Sequence, residues 1–159
     1  MAINQAEARI WLATPYFIPT PAILTSLRAA VYRGVDVRLM VPAHSDVRLV
    51  RHAARSYYPA LLSVGVRVFE YQPAMHHAKV AVFDDDLVLI GSANLDSRSF
   101  RLNFECSCFV GGEALNGELA AVLEKDFADS IEIERDSWQR RPWLGRLIDG
   151  TAHLLSPLL

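Results

Sequence analysis

Residues 77–94 read His77-Ala78-Lys79-Val80-Ala81-Val82-Phe83-Asp84-Asp85-Asp86-Leu87-Val88-Leu89-Ile90-Gly91-Ser92-Ala93-Asn94. Two apolar runs are separated only by acidic residues, which predicts a hairpin rather than a crossover. With a two-residue loop at Asp85-Asp86, Asp84 faces Leu87, Lys79 lies opposite Ser92 and His77 opposite Asn94. Strand side chains alternate with period two, so His77 and Lys79 share a face, as do Ser92 and Asn94. Four polar groups thus converge among Val80, Val82, Leu89 and Ile90, which otherwise read as core. An ammonium, a hydroxyl and an amide all donate to anionic oxygens, while a neutral imidazole attacks phosphorus or moves a proton. That set suits a phosphodiester: Lys79, Ser92 and Asn94 hold the nonbridging oxygens, and His77 is the nucleophile of a phosphohistidine route. The scheme calls for no metal and no cofactor.

Outward from this stretch the pattern is α/β. Residues 9–17 form an apolar, strand-like run that Pro19-Thr20-Pro21 ends. Thr20 then caps a helix in which Ile23, Leu24, Leu27, Ala30 and Val31 recur at helical spacing until Gly34. Residues 35–41 and 66–71 predict two further strands. Between them lies a helix over 46–63, started by Ser45 or Asp46 and stopped at Gly65. Strand, helix, strand, helix, strand predicts layered α/β structure with a largely parallel sheet and right-handed crossovers. Beyond the hairpin, residues 104–110 supply another strand, Gly111-Gly112 breaks it, and 113–130 return to helical spacing through Leu115, Leu119, Val122, Leu123 and Phe127.

At 159 residues, 52% hydrophobic and 21% charged, the chain suits one globular core. A formal charge of -2 carries no global basic signature, so nucleic acid is not an expected partner. Cys106 and Cys108 sit two apart with no distant partner and are read as small reduced core residues. The N-terminus lacks the pattern of a secretory signal, and no run of about 18 apolar residues spans a bilayer, so the expectation is a soluble or membrane-peripheral chain. Residues 2–8 lead so directly into the first strand that they read as a cut through a helix.

The spacing itself resembles a known family. His77-Ala78-Lys79, four residues, Asp84, six residues, then Gly91-Ser92-Ala93-Asn94 is similar to the HKD motif of the phospholipase D superfamily at every fixed position. Thr14-Pro15-Tyr16-Phe17-Ile18-Pro19, Arg55-Ser56-Tyr57-Tyr58, Glu70-Tyr71-Gln72-Pro73 and the run from Ser92 to Glu105 resemble the C-terminal halves of bacterial cardiolipin synthases. The resemblance implies a phospholipase D-like α/β/α sandwich with a mixed, mostly parallel sheet. A catalytic half-domain is expected over 1–130 and an amphipathic tail over 131–159. It further implies transfer of a phosphatidyl group from phosphatidylglycerol or a related donor, with a phospholipid substrate and peripheral contact with the cell membrane on its cytoplasmic side. It implies that Glu105 orients the histidine ring and that Asp84 plays a supporting role. Two HKD motifs meet in such enzymes, so a second half is expected from an identical chain or from a missing N-terminal half.

Other residues carry plainer readings. His76 projects away from His77, which argues against joint metal ligation and leaves it a capping or solvent role. Asp84-Asp85-Asp86 lacks the spacing of a cation loop and reads as turn chemistry. Arg98 and Arg101 either approach a lipid phosphate or pair with Asp96 or Glu105. Tyr16, Phe17, Tyr57 and Tyr58 either line an acyl or headgroup entrance or pack in the core. In the tail, Trp138, Arg140, Arg141, Trp143, Arg146 and the aliphatics between them have the mixture of an interfacial helix, with Pro142 and Gly145 arguing for two short pieces. Whether the tail lies on a membrane or packs back on the domain stays open.

Overall fold

A computed structural model describes residues 2–156. In chain order the elements are α1 (Ala2–Gln5), β1 (Arg9–Ala13), α2 (Pro21–Tyr32), β2 (Asp36–Pro42), α3 (Arg48–Ser56), α4 (Tyr58–Leu62) and β3 (Arg67–Tyr71). There follow β4 (Val80–Phe83), β5 (Leu87–Gly91), α5 (Ser97–Arg101), β6 (Ser107–Gly111), α6 (Glu113–Ala128), β7 (Ser130–Glu132), α7 (Arg135–Gln139) and α8 (Trp143–Leu154). The strands form one seven-stranded sheet in the order β6-β5-β4-β1-β2-β3-β7.

This is the expected α/β sandwich with a mixed sheet, although the parallel share is smaller than the sequence suggests. Among the described strands, β1–β2 and β2–β3 pair in parallel, while β1–β4, β4–β5, β5–β6 and β3–β7 are antiparallel. After β3 the chain returns to the free side of β1 as a hairpin and then a meander, which needs no crossover helix. Strand alternation sorts the two cores. Ile10, Leu12, Val37, Leu39, Val68, Ala81 and Phe83 pack with Leu27 and Ala30 of α2 and Tyr58 and Leu61 of α4. Trp11, Met40, Phe69, Val82 and Val88 face Ala120, Leu123 and Phe127 of α6. Each large side chain buried this way contributes about 1.5–3 kcal/mol.

Local chemistry explains several boundaries. Thr20 accepts from the Ile23 amide at 3.4 Å and Pro21 opens α2, as the cap reading predicts. The single helix expected over 46–63 is two helices broken at Tyr57, because Pro59 has no N–H to continue the ladder and opens α4 instead. β1 stops at Ala13 rather than residue 17, since Pro15 cannot donate to a sheet. α5 was not anticipated; Asp96 caps it by accepting from the Ser99 amide at 2.6 Å.

The hairpin register is one residue off the two-residue expectation. Val80 pairs with Ile90 and Phe83 with Leu87, so the loop has three residues, Asp84-Asp85-Asp86. Asp84 sits at φ +45, and its carboxylate accepts from the amides of Glu7, Ala8 and Arg9 at 3.1, 2.7 and 3.0 Å. The turn is therefore anchored to the start of β1 instead of being set by local turn preference. A second correction concerns Cys106 and Cys108: both are free and exposed. All of β6 is exposed at the edge of the sheet.

The tail forms two pieces, α7 and α8, with Pro142 capping the second; Gly145 lies inside α8. It packs on the domain through one face. Trp138 is 5% exposed, and Asp149, at 4%, accepts from His52 Nδ1 at 2.8 Å and Arg141 Nη1 at 2.9 Å. Among the described residues, no helix is long and apolar enough to cross a membrane.

Candidate active site

Ala13 at the carboxyl end of β1 pairs with Val80 at the start of β4. His77 and Lys79 just before β4, Ser92 and Asn94 just after β5, and Thr14 and Tyr16 just after β1 therefore gather at one end of the sheet. That end lies beside the β1–β4 boundary, where the strand order switches direction along the chain, the usual place for a site in open α/β sheets.

His77 is exposed and Lys79 half-buried. Lys79 Nζ lies 2.8 Å from His77 Nδ1 and donates to the His77 carbonyl at 3.0 Å. An ammonium only donates, so this contact makes Nδ1 the acceptor and leaves the ring proton on Nε2. The lysine stem lines an apolar cavity of about 180 Å³ that also includes Leu12, Ala81, Leu89, Leu95 and Phe109. Desolvation there holds the Lys79 pKa below the ordinary lysine value, against the opposing charges of Glu105 and Asp96.

The one-residue slip sets Lys79 opposite Gly91, whose amide donates to the Lys79 carbonyl at 3.1 Å, rather than opposite Ser92. Ser92 Oγ is instead tied to the chain leading into β6, accepting from the Cys106 amide at 3.0 Å. Asn94 donates its backbone amide to Ser99 Oγ at 3.2 Å, and its side-chain Oδ1 is buried without a hydrogen-bond partner among the described residues. Glu105 is exposed and accepts from Asn103 Nδ2 at 3.4 Å, rather than from the imidazole. Asp84 is at the far end of the hairpin. Burial raises its pKa, but the amides of Ala8, Arg9 and Glu7 outweigh that and bring it below the ordinary carboxylate value.

Tyr16 stands edge-on to His77 with ring centroids 6.5 Å apart. Its hydroxyl donates to Asp46 at 2.7 Å. Burial and this bond push the phenol up to about 12, so it remains a neutral donor. Thr14, 1% exposed, donates to the Tyr16 carbonyl at 2.9 Å and accepts from the Leu95 amide at 3.3 Å, fastening the β1 loop to the segment after β5. The sequence marks Asp46 only as an alternative to Ser45 for a helix start, whereas α3 begins at Arg48 with no side-chain cap and Asp46 instead holds Tyr16; for Thr14, a polar residue at a parallel strand's carboxyl end is the available signal.

Arg98 and Arg101 pair with neither Asp96, which caps α5, nor Glu105. They line a groove of about 770 Å³ with Ile18, Pro19, Leu24, Tyr57, Leu102, His153 and Ser156. Of the aromatic residues, Phe17 at 0% and Tyr58 at 1% exposure are core. Tyr58 donates to Glu70 at 3.2 Å, and Arg55 stands 3.2 Å from the same carboxylate. His76 does not cap or face solvent: its Nε2 lies 3.1 Å from Asp126 on α6. Among the described residues, no three His, Cys, Asp or Glu side chains are grouped as metal ligands.

Solved structures share this architecture. Nuc from Salmonella typhimurium, a phospholipase D family member, superposes with a TM-score of 0.74 at 21% identity, covering 84% of this chain and 86% of that one. Phosphatidylserine synthase of Haemophilus influenzae Rd KW20 gives 0.73 at 15% identity over 99% of this chain and 43% of that one. The fold is that of the phospholipase D class. Within the class, residues 1–130 match the model of the "Cardiolipin synthase, PLD-like domain", and the chain belongs to that family. Cardiolipin synthase A of Pseudomonas aeruginosa (strain LESB58) is 46% identical over 160 residues, covering 99% of this chain and 32% of that protein. The chain thus spans about a third of the length of the curated relatives it matches.

Proposed function

We propose that this chain supplies one catalytic half of a phospholipase D-type phosphatidyltransferase that makes cardiolipin from phosphatidylglycerol or a related donor. The observation that carries the reading is the His77–Lys79 pair at the carboxyl end of β1, in a chain whose family model is that of cardiolipin synthases. In the proposed reaction His77 attacks phosphorus, the P–O bond to the leaving glycerol breaks, and a phosphohistidine holds the phosphatidyl group. The hydroxyl of a second lipid then attacks phosphorus and frees the imidazole. Lys79, Ser92 and Asn94 face the nonbridging oxygens and offset the charge that builds on them. Glu105 takes up the ring N–H once substrate has drawn Lys79 off Nδ1, and Asp84 secures the hairpin.

The leaving alkoxide needs a proton, and His77 cannot be nucleophile and acid in the same step. The second histidine therefore comes from another HKD half, either a second copy of this chain or an N-terminal half. Arg98, Arg101 and Tyr16 contribute to lipid binding beside the site. The test is to incubate the chain, alone and with a complementing N-terminal half, with phosphatidylglycerol vesicles and to follow cardiolipin, phosphatidic acid and glycerol. Cardiolipin and glycerol in equal amounts, lost in His77→Ala, support the reading. Phosphatidic acid without cardiolipin would mean that water is the acceptor, and unchanged turnover in His77→Ala would remove the nucleophile assignment.

A further inference from the structure

Helix α8 is held to the domain by one narrow face and leaves a broad apolar face uncovered. Asp149 and Ala152 are buried within an arc of about 60° at ~100° per residue, and Ser156 just past the helix is buried as well. On the outward side, Trp143, Leu144, Leu147, Ile148, Leu154 and Leu155 are 41–77% exposed. Helical geometry puts the five within α8 in a single arc of about 140° that also holds exposed Thr151, and Leu155 follows at the C-cap. Core packing does not use this face, and such a contiguous apolar surface marks a contact with something outside the domain.

Charge selects the occupant. The only carboxylate on α8, Asp149, is buried and bonded to Arg141 and His52, whereas Arg146 is exposed at the flank of the apolar arc and Arg140 is exposed in the turn before the helix. An indole at the helix start, aliphatic side chains along one face and arginines at the flank fit an anionic lipid surface better than a protein groove. We propose that the outer face of α8 lies in the interfacial layer of an anionic membrane, with the helix axis along the surface. His153 of the same helix and Ser156 just past its end line the Arg98–Arg101 groove, so this docking holds that groove at the bilayer edge. The inference shares with the functional reading only the premise that the substrate is a membrane lipid.

The protein carries its own probe. Of three tryptophans, Trp11 and Trp138 are 3% and 5% exposed and Trp143 is 73% exposed. Vesicles of phosphatidylcholine, with and without phosphatidylglycerol, are titrated into the chain while tryptophan emission, quenching by brominated lipid and co-sedimentation are followed. The expected result is a blue shift and quenching, both absent in Trp143→Phe, which still sediments with anionic vesicles. Leu147→Glu is expected to weaken binding at least tenfold, and Arg146→Ala about fivefold on anionic vesicles only. Both positions are exposed, and unchanged thermal melting verifies that the fold is intact. A chain that stays in the supernatant with unshifted emission overturns the proposal. So does a doubled solution mass that Leu147→Glu returns to monomer, because the face is then covered by a second copy. Since His77→Ala is expected to bind vesicles like the wild type, failure of the chemistry and failure of the docking are told apart.

Discussion

Replacing Asp84 by alanine is expected to destabilise the fold without touching the chemistry. The carboxylate accepts three backbone amides, and bonds to a charged acceptor are each worth about 1.5–3 kcal/mol. The Glu7 and Ala8 amides are near solvent and regain water on truncation, so mainly the Arg9 bond, which is partly buried, is lost in full. That gives about 2 kcal/mol. The positive φ of Asp84 adds about 1 kcal/mol for alanine, which glycine avoids. The expected order of stability is wild type, Asp84→Asn, Asp84→Gly, Asp84→Ala, with the last about 3 kcal/mol down, or roughly 6–12 °C in Tm. The pH dependence follows from the depressed pKa. Stabilisation is complete above the unfolded carboxylate value of about 3.9 and is lost as pH falls through the lower folded value. The gap between wild type and alanine variant therefore closes on acidification. Urea melts at several pH values measure it. An alanine variant within about 0.5 kcal/mol of wild type at neutral pH, or a gap that widens in acid, refutes the tether. So does a loss of turnover per folded molecule, because Lys79 and Asp84 are five residues apart along the strand, about 16 Å.

Further outcomes follow from single contacts. A Cβ at Gly91 would collide with Ser107 Oγ and stand 2.6 Å from the Cys106 carbonyl. Gly91→Ala is thus expected to push β6 away and cost about 1–3 kcal/mol in a urea melt. Asp149→Ala leaves Arg141 and His52 without their shared carboxylate under α8. A loss of about 3 kcal/mol is expected, with faster tryptic cleavage after Arg140 as the tail loosens. In ¹⁵N spectra of the free protein the His77 ring proton is expected on Nε2. Lys79→Met is expected to release it into a mixture of tautomers, and an Nδ1–H ring in the wild type would rule out the lysine contact.

The hairpin was legible in the sequence because two short apolar runs around an acidic turn are a short-range signal, and the spacing of His77, Lys79, Ser92 and Asn94 placed all four beyond the same ends of its two strands. The register was not legible for a non-local reason. Local turn preference favours a two-residue loop, but Asp84 is bonded to amides 75 to 77 residues earlier in the chain. Cys106 and Cys108 fail in the same way: their pattern is that of a core strand, and only the topology reveals that β6 is an exposed edge. β7 has three residues, too few for a period to show, and exists because β3 offers an open edge. The helix break at Tyr57 is readable from Pro59, whose missing N–H interrupts a ladder that the apolar period runs straight through. The attachment of the tail was not readable, since His52 and Asp149 lie 97 positions apart.

On the proposed reading, the Lys79–His77 contact describes the site before substrate arrives. A half-buried ammonium whose nearest partners are an imidazole nitrogen and a carbonyl is poorly compensated, which is what its depressed pKa expresses. A phosphodiester oxygen compensates it better than either, so anion binding favours transfer of Nζ from the ring to the phosphate. That transfer frees Nδ1 to take the ring proton and leaves Nε2 with the lone pair a nucleophile needs. Substrate binding and activation of the nucleophile are then one event, and Lys79 couples them. The coupling has a pH signature. Affinity for the anion is full while Lys79 is protonated and is lost as pH rises through its pKa, so it fades at a lower pH than an ordinary lysine would allow. An exposed lysine at this position would bind phosphate too, but it would gain less from the anion and would not be held against the imidazole beforehand.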